Sequence, residues 1–141
     1  MSLPTKLLEI EDGAFIGCNI TTLTIPEYVL NIGYVAFAHC YIHNLTIEGC
    51  CSIKPGAFKT INKNISTPID TCYCKSDVPP INERRQIPYD YDDGPWKPWD
   101  YGGYVASAIY CNVLCVPKGC KDIYRSEWDS GSWKEIIEVD Y

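Results

Sequence analysis

The chain has 141 residues, 46% of them hydrophobic and 21% charged, which suits one globular domain and leaves little room for a second. Ten glycines and ten prolines indicate many turns and short elements rather than long helices. The net charge of −6 argues against nucleic acid or an anionic membrane surface as a partner, because phosphate binding needs a positive field. The sequence also has no apolar run long enough for a transmembrane helix.

The amino terminus lacks the charged stretch and the apolar core of a signal peptide. Met1-Ser2-Leu3 has the form of residues left by an expression vector. We therefore expect a trimmed piece of a longer protein, from which a leader, if there was one, has been removed.

A repeated Ala-Phe pair is the clearest pattern. Gly13-Ala14-Phe15 returns as Val35-Ala36-Phe37 and again as Gly56-Ala57-Phe58, at intervals of about 20 residues that are typical of leucine-rich repeats. Apolar residues and cysteines recur in register around each pair: Leu7, Ile10, Ile20, Leu23 and Ile25; Val29, Ile32, Ile42, Leu45 and Ile47; and Cys50, Ile53, Ile69, Cys72 and Cys74. The third interval is stretched, because the step from Leu45 to Cys72 is longer than the step from Leu23 to Leu45.

The alternation of Leu23 with Ile25 predicts a short strand that directs both side chains inward. One such strand buries too little surface alone, whereas a stack of coils about 4.8 Å apart closes a continuous core. We expect the phenylalanines to form the opposite wall, and Pro26 to end the first strand because proline has no N–H to donate. Three glycines suit tight turns: Gly13, Gly33 and Gly56. Four threonines fit the exposed strand face: Thr21, Thr22, Thr24 and Thr46.

The run Ile32-Gly33-x-x-Ala36-Phe37-x-x-Cys40 resembles the BspA-like, treponemal-type leucine-rich repeat. Val78-Pro79-Pro80 resembles the turn that leads into the family's carboxy-terminal cap. The tail resembles the cap of the bacterial members: Leu114-Cys115-Val116-Pro117-Lys118-Gly119, then Tyr124, Trp128, Trp133, Ile136 and Ile137. The resemblance implies a leucine-rich-repeat solenoid of short parallel strands with an irregular, turn-rich convex side and a mixed α/β cap. It also implies a protein that is secreted or held at the cell surface, extracellular in either case.

We expect a single domain over 1–141, with repeats at 7–80, an aromatic insertion at 81–110 and the cap at 111–141. Within the cap, Lys121 to Trp128 fits about two helical turns with Ile123 and Tyr124 turned inward. The final residues, 136–139, fit a closing strand.

Nine cysteines are many for this length, and an odd number cannot all pair within one chain. The repeat register favours core positions for five of them: Cys18, Cys40, Cys50, Cys72 and Cys74. Four fall outside the inward positions and are expected to be exposed or paired: Cys51, Cys111, Cys115 and Cys120. A disulfide between Cys18 and Cys40 on neighbouring coils remains open. The spacings do not form the two close pairs that zinc requires, so we expect no metal site.

The chain has only two histidines, and an enzyme needs convergent groups with matched roles. His39 precedes Cys40, but a Cys–His pair would need a third, orienting group. Polar residues on a turn explain His39 and His43 better. No phosphate-binding loop or nucleophile motif occurs, so we expect neither an enzyme nor a cofactor. The sequons at Asn19, Asn44 and Asn64 are interpreted as structural.

The segment 82–110 carries a concentration of aromatic residues among carboxylates. Aromatic faces with nearby carboxylates stack on sugar rings or act as hot spots in protein interfaces. The alternative is that they seal the open end of the stack, as terminal coils require. The candidate ligand-binding residues are Tyr89, Tyr91, Trp96, Trp99, Tyr101 and Tyr104.

The resemblance favours a non-catalytic binding module that contacts host or bacterial surface proteins, as in adhesion. A carbohydrate-binding module that uses the aromatic insertion to bind glycans is the alternative, and a structural spacer is a third. Nucleic acid is not expected as a partner.

Overall fold

The computed structural model describes residues 1–59, 68–82, 109–128 and 132–141, and in addition the backbone of 61–62, 65–66, 85–86 and 104–105. The elements in chain order are β1 Glu9–Ile10, β2 Thr22–Ile25, β3 Asn31–Ile32, β4 Asn44–Ile47, β5 Ser52–Ile53, β6 Ile61–Asn62, β7 Ile65–Ser66, β8 Ile69–Cys74, β9 Ile81–Asn82, β10 Arg85–Gln86, β11 Tyr104–Val105, β12 Cys111–Pro117, α1 Lys121–Glu127 and β13 Trp133–Val139.

The larger sheet has the order β13-β12-β8-β4-β2, and every neighbouring pair is parallel. One row of residues crosses all five strands at the same level: Leu23, Leu45, Cys72, Leu114 and Ile136. All five side chains are buried. The predicted stacking of equivalent apolar residues is therefore confirmed, and β2 ends at Ile25, directly before Pro26, as predicted.

The smaller sheet has the order β1-β3-β5-β9 and is also parallel. Ile10, Ile32 and Ile53 lie side by side in it, and all three are buried. Turns connect the two sheets at residues 12–17, 34–39 and 55–58. Two short antiparallel pairs, β6–β7 and β10–β11, occur in the segments where the repeat interval is stretched.

The three phenylalanines stack in a column along the turns that connect the two sheets. The ring centroids of Phe15 and Phe37 are 5.0 Å apart with planes 4° from parallel, and those of Phe37 and Phe58 are 5.3 Å apart with planes 1° from parallel. Burying such a ring stabilises the fold by about 1.5–3 kcal/mol, and an aromatic pair adds about 0.5–1.5 kcal/mol. The Ala-Phe repeat thus forms the predicted second wall of the core.

Left-handed backbone recurs at equivalent turn positions. Gly13 and Gly56 have φ of 66° and 73°, and Val35 has φ of 50° at the same place in the second coil. Gly33 has a different role from the predicted tight turn, since a Cβ on it would lie 2.4 Å from Asp12 Oδ1. Gly33 is therefore required because the first coil approaches it closely, and not because its backbone has a positive φ.

Met1-Ser2-Leu3 packs as part of the larger sheet. Ser2 forms a parallel bridge with Thr24, and the Met1 ammonium donates a 3.0 Å hydrogen bond to the Thr22 carbonyl. Leu3 is only 9% exposed and belongs to the core. Whatever the origin of these residues, they extend the stack by a partial strand, since Leu3 precedes Ile25 by one repeat interval.

The carboxy-terminal segment adds β12, α1 and β13. Tyr124 is fully buried and its hydroxyl donates to the Ser76 carbonyl at 2.7 Å, while Trp128 Nε1 donates to the Pro80 carbonyl at 2.7 Å. The prediction that Ile123 also faces inward is wrong, because its side chain is 44% exposed. Tyr124 is the buried residue of α1, and Ile123 faces another direction because consecutive residues of a helix are rotated around its axis.

Glu138 caps the start of α1 from the neighbouring strand. Its Oε2 accepts hydrogen bonds from the backbone N–H groups of Gly119 at 2.8 Å and Lys121 at 3.2 Å. Cys120 stands at the N-cap but makes no capping bond with its side chain. A carboxylate at a helix start is favourable because the free N–H groups there carry partial positive charge.

Candidate functional site

The outward face of the larger sheet consists of two rows of side chains. One row contains Thr22, Asn44, Thr71, Val113 and Glu135. The other row contains Thr24, Thr46, Tyr73, Cys115 and Ile137. Hydroxyl and amide groups cover the first two strands, whereas aromatic and aliphatic side chains prevail from β8 onwards. Only Cys115 is buried among these residues, at 3% exposure.

A His–Asp pair lies at one end of this face, where β4 and β8 begin. His43 Nδ1 and Asp70 Oδ2 are 2.8 Å apart, and both side chains are about 60% exposed. Exposed pairs of this kind contribute little stability, so the pair mainly fixes two polar side chains beside the outward rows. The sequence predicts His43 as a polar turn residue but gives no indication of Asp70 as its partner, because Asp70 falls in the stretched third interval.

A second charged pair lies at the opposite end of the same strands. Lys75 Nζ is 4.0 Å from Glu48 Oε1 and 5.9 Å from the centre of the Tyr141 ring. The Tyr141 hydroxyl donates to the Cys115 carbonyl at 3.0 Å. A hydrogen-bonded His–Asp pair therefore lies at one end and a Lys–Glu ion pair at the other, and Glu135 is the one Asp, Glu, Lys or Arg residue within the two outward rows.

The smaller sheet carries a shallow notch of about 530 Å³. Its lining residues are Glu9, Ile10, Glu11, Asp12, Asn31, Gly33 and Lys54. Asp12 has a structural role there, because its Oδ1 accepts a 2.8 Å hydrogen bond from the Tyr34 N–H. Burial raises the pKa of the Asp12 carboxyl, and the nearby Lys54 acts in the opposite direction.

All nine cysteines are free thiols in the structure, including Cys18 and Cys40, which the sequence analysis considered as a disulfide. The core prediction is confirmed for Cys40, Cys72 and Cys74, which are at most 2% exposed. The prediction is wrong for Cys18, which is exposed. Backbone hydrogen bonds place the turn of the second coil between those of the first and third, so Cys40 is covered from both sides and Cys18 from one.

The prediction is also wrong for Cys50, which is exposed, and for its neighbour Cys51, which is buried. Cys51 follows the end of β4 by four residues, as the buried Val29 follows the end of β2, so Cys51 takes the inward position. The third coil is one residue shorter only after this point, since Glu9 pairs with Asn31 but Asn31 pairs with Ser52. Cys111 and Cys115 are buried against expectation. Both lie on β12, which pairs with β8 as a further strand of the stack, whereas Cys120, outside the sheet, is partly exposed.

Buried thiols cluster where β8 meets β12. The sulfur atoms of Cys72 and Cys74 are 3.9 Å apart, and the Cys111 thiol donates to the Ser132 carbonyl at 3.3 Å. A hydrogen bond with Cys72, together with burial, raises the pKa of the Cys111 thiol. Burial raises the pKa of Cys51 to about 12. Thiols that stay protonated are poor nucleophiles and metal ligands, so these side chains act as small apolar residues.

Over the described ranges, no group of three or more His, Cys, Asp or Glu side chains is arranged to hold a metal ion. In those same ranges, no helix has the length and apolar character needed to cross a membrane.

Most of the candidate ligand-binding residues lie outside the described residues: Tyr89, Tyr91, Trp96, Trp99 and Tyr101. Tyr104 begins β11, which pairs antiparallel with β10 through Gln86 and Tyr104. Their role as a ligand surface, or as a seal for the stack, stays a prediction.

Parallel strands in register, which recur at 22 residues from β1 to β3 and from β2 to β4 with an apolar row inward and a variable row outward, define a leucine-rich-repeat protein. The family model described as BspA type Leucine rich repeat region matches residues 1–77 in 6 copies, and the chain belongs to this family. Repeats of this family generally serve as non-enzymatic binding modules. No curated protein and no solved structure gave a significant match.

Proposed function

We propose that the chain is a non-catalytic binding module, secreted or held at a cell surface, which binds host or bacterial surface proteins and supports adhesion. In this proposal the whole of 1–141 is one domain, and its coils continue as a solenoid from the repeats into the cap. The outward face of the larger sheet, formed by the two rows described above, is the binding surface.

One observation carries the proposal: on the same strands, the inward residues stay apolar whereas the outward residues vary in chemistry. The inward row keeps Leu23, Leu45, Cys72, Leu114 and Ile136, all apolar and buried. The outward row beside it changes from threonine and asparagine to valine and glutamate. A repeat stack presents residues that can vary without disturbing the core, which suits recognition of a partner.

The composition of the face favours a protein as the partner. Tyr73 and Ile137 lie in one outward row on either side of Cys115, whose carbonyl accepts a hydrogen bond from the Tyr141 hydroxyl. Aromatic and aliphatic anchors supply most of the energy in protein interfaces. Polar side chains held in pairs at both ends suit the polar rim of such an interface.

A binding panel of extracellular-matrix and bacterial surface proteins tests the proposal. The double variant Thr22→Arg/Asn44→Arg adds two positive charges and two long side chains to the exposed part of the face. Glu127→Arg on α1 changes the net charge by the same amount and is the matched control. We expect the face variant to lose binding to any protein that the wild type binds and the control to retain it. Equal loss in both variants, or no binding by the wild type, would overturn the proposal.

Carbohydrate binding by the aromatic insertion is a second proposal, supported by the side-chain chemistry of the segment. Trp96→Ala and Trp99→Ala separate the two proposals on a glycan array. Loss of glycan binding with an unchanged circular dichroism spectrum would favour the sugar-binding role. Absence of binding on both panels would favour a structural spacer.

A further inference from the structure

We propose that a second surface, at the amino-terminal end of the smaller sheet, binds a polypeptide segment that carries basic and aliphatic side chains on one face. This surface, formed by Leu8, Leu30, Glu9 and Glu11, is called the leucine–carboxylate surface. The inference rests on the proposed role in protein binding and names a partner chemistry for it.

The aliphatic half of the surface has no role in the core. Leu8 and Leu30 are 56% and 58% exposed, and the Leu30 N–H donates a 2.7 Å hydrogen bond to the Leu8 carbonyl, so the two residues lie side by side on adjacent coils. The buried positions of these coils are filled by other residues, among them Val29 and Ile10. Two adjacent leucines that expose more than half of their surface can serve as anchors for a partner.

The acidic half borders the leucines along the strand direction. Glu9 follows Leu8 directly, and Glu11 lies about 6.8 Å beyond Glu9 along an extended chain. Both carboxylates line the notch, together with Asn31 and Gly33. Among the described residues, no ion pair joins a basic side chain to Glu9 or Glu11, whereas Asp12 is held by its bond to Tyr34 and by the proximity of Lys54.

Charge complementarity selects the partner. Two carboxylates without an ion pair, on a chain of net charge −6, attract arginine or lysine and repel nucleic acid or phosphate. A guanidinium fits the notch, because its planar fork binds carboxylates through paired hydrogen bonds. An aliphatic side chain two positions away on the same face of an extended segment reaches the leucines. The partner is therefore a segment in which leucine-like and arginine-like residues alternate at every second position.

A synthetic peptide that repeats Leu-Ser-Arg-Ser is the probe, because its extended form shows leucine and arginine on one face. Two matched peptides replace the arginines by glutamine or the leucines by serine. Fluorescence anisotropy with the full chain at physiological salt should show binding of the first peptide and binding about tenfold weaker, or weaker still, for the other two. Leu8→Ser/Leu30→Ser and Glu9→Gln/Glu11→Gln should each weaken the first peptide by a similar factor.

Glu127→Gln/Asp140→Asn is the control for net charge, since both residues are exposed and lie outside the leucine–carboxylate surface and the two outward rows. It should leave binding of the first peptide unchanged, and circular dichroism should show that every variant is folded. The inference is overturned if the wild type binds no peptide, if the serine–arginine peptide binds equally well, or if the control weakens binding as much as Glu9→Gln/Glu11→Gln. Partners from the protein panel, tested on the same variants, distinguish the two proposals: binding that depends on Thr22 and Asn44 alone supports the sheet-face proposal and rejects this one.

Discussion

Leu23 lies directly opposite Leu45 in the parallel register of β2 and β4, and both side chains are fully buried. The same row continues to Cys72 on β8, so Leu45 has a repeat on each side of it. This position decides how strongly one coil depends on the next, because the side chain of Leu45 fills the space between two neighbouring coils.

Leu45→Ala should therefore destabilise the fold by about 2–5 kcal/mol, the range for a buried leucine that leaves a cavity. Urea denaturation followed by circular dichroism measures the change. Leu30→Ala, at a position 58% exposed, is the control and should change the free energy of unfolding by less than about 0.5 kcal/mol. A loss below about 1 kcal/mol for Leu45→Ala would contradict the stacked arrangement.

Two residues with left-handed backbone, Gly17 and Tyr41, give predictions of opposite sign for the change in folding stability. Gly17 has φ of 69° with no atom within 4 Å of an added Cβ, so Gly17→Ala should destabilise by about 1 kcal/mol through backbone strain alone. Tyr41 has φ of 57° and a side chain 47% exposed, so Tyr41→Gly relieves the same strain and should stabilise by up to about 1 kcal/mol. Thermal unfolding of both variants measures the difference, and destabilisation by Tyr41→Gly would reject the strain argument.

The sequence predicted the strand stack and the phenylalanine column because those depend on regular spacing. It predicted the closing strand at 136–139, which lies within β13, but it did not assign β12 and β13 to the same sheet, although the step from Leu114 to Ile136 equals the step from Leu23 to Leu45. The long insertion between Cys72 and Leu114 conceals that register. The His43–Asp70 pair was beyond sequence reasoning, because the stretched third interval determines which residue lies beside His43.

The cysteines show where regular spacing alone misleads. A shift of one residue in the third coil exchanges Cys50 for Cys51 as the inward residue, since neighbouring residues of an extended chain point to opposite sides. Cys18 and Cys40 hold equivalent repeat positions but differ in exposure, because neighbouring coils cover the second coil on both sides and the first on one side only. A repeat pattern does not encode this coverage.

Thiol labelling under native conditions tests this assignment. With a chromogenic aromatic disulfide as reagent and a prior reduction step, Cys18 and Cys50 should react first and Cys120 more slowly, because the first two are exposed and the third is partly covered. The six buried thiols should react only after denaturant is added. Peptide mass mapping of the labelled protein identifies the sites, and early labelling of Cys72 or Cys111 would contradict the buried cluster.

Alkaline pH should destabilise the fold in part through Cys51. Burial raises the pKa of this thiol from 9.0 to about 12, so above pH 9 the unfolded chain releases a proton that the folded chain retains. The contribution of this thiol is therefore complete below pH 9 and is lost as the pH rises towards 12. By pH 10.5 the loss reaches roughly 2 kcal/mol for this group if the unfolded thiol keeps its ordinary pKa. Cys51→Val removes this titration. Valine is also the residue at the buried position 29 of the preceding coil. Urea denaturation at pH 7.5 and 10.5 in a phosphine reductant should show a smaller alkaline loss for the variant than for the wild type, and equal losses would show that Cys51 titrates alike in both states.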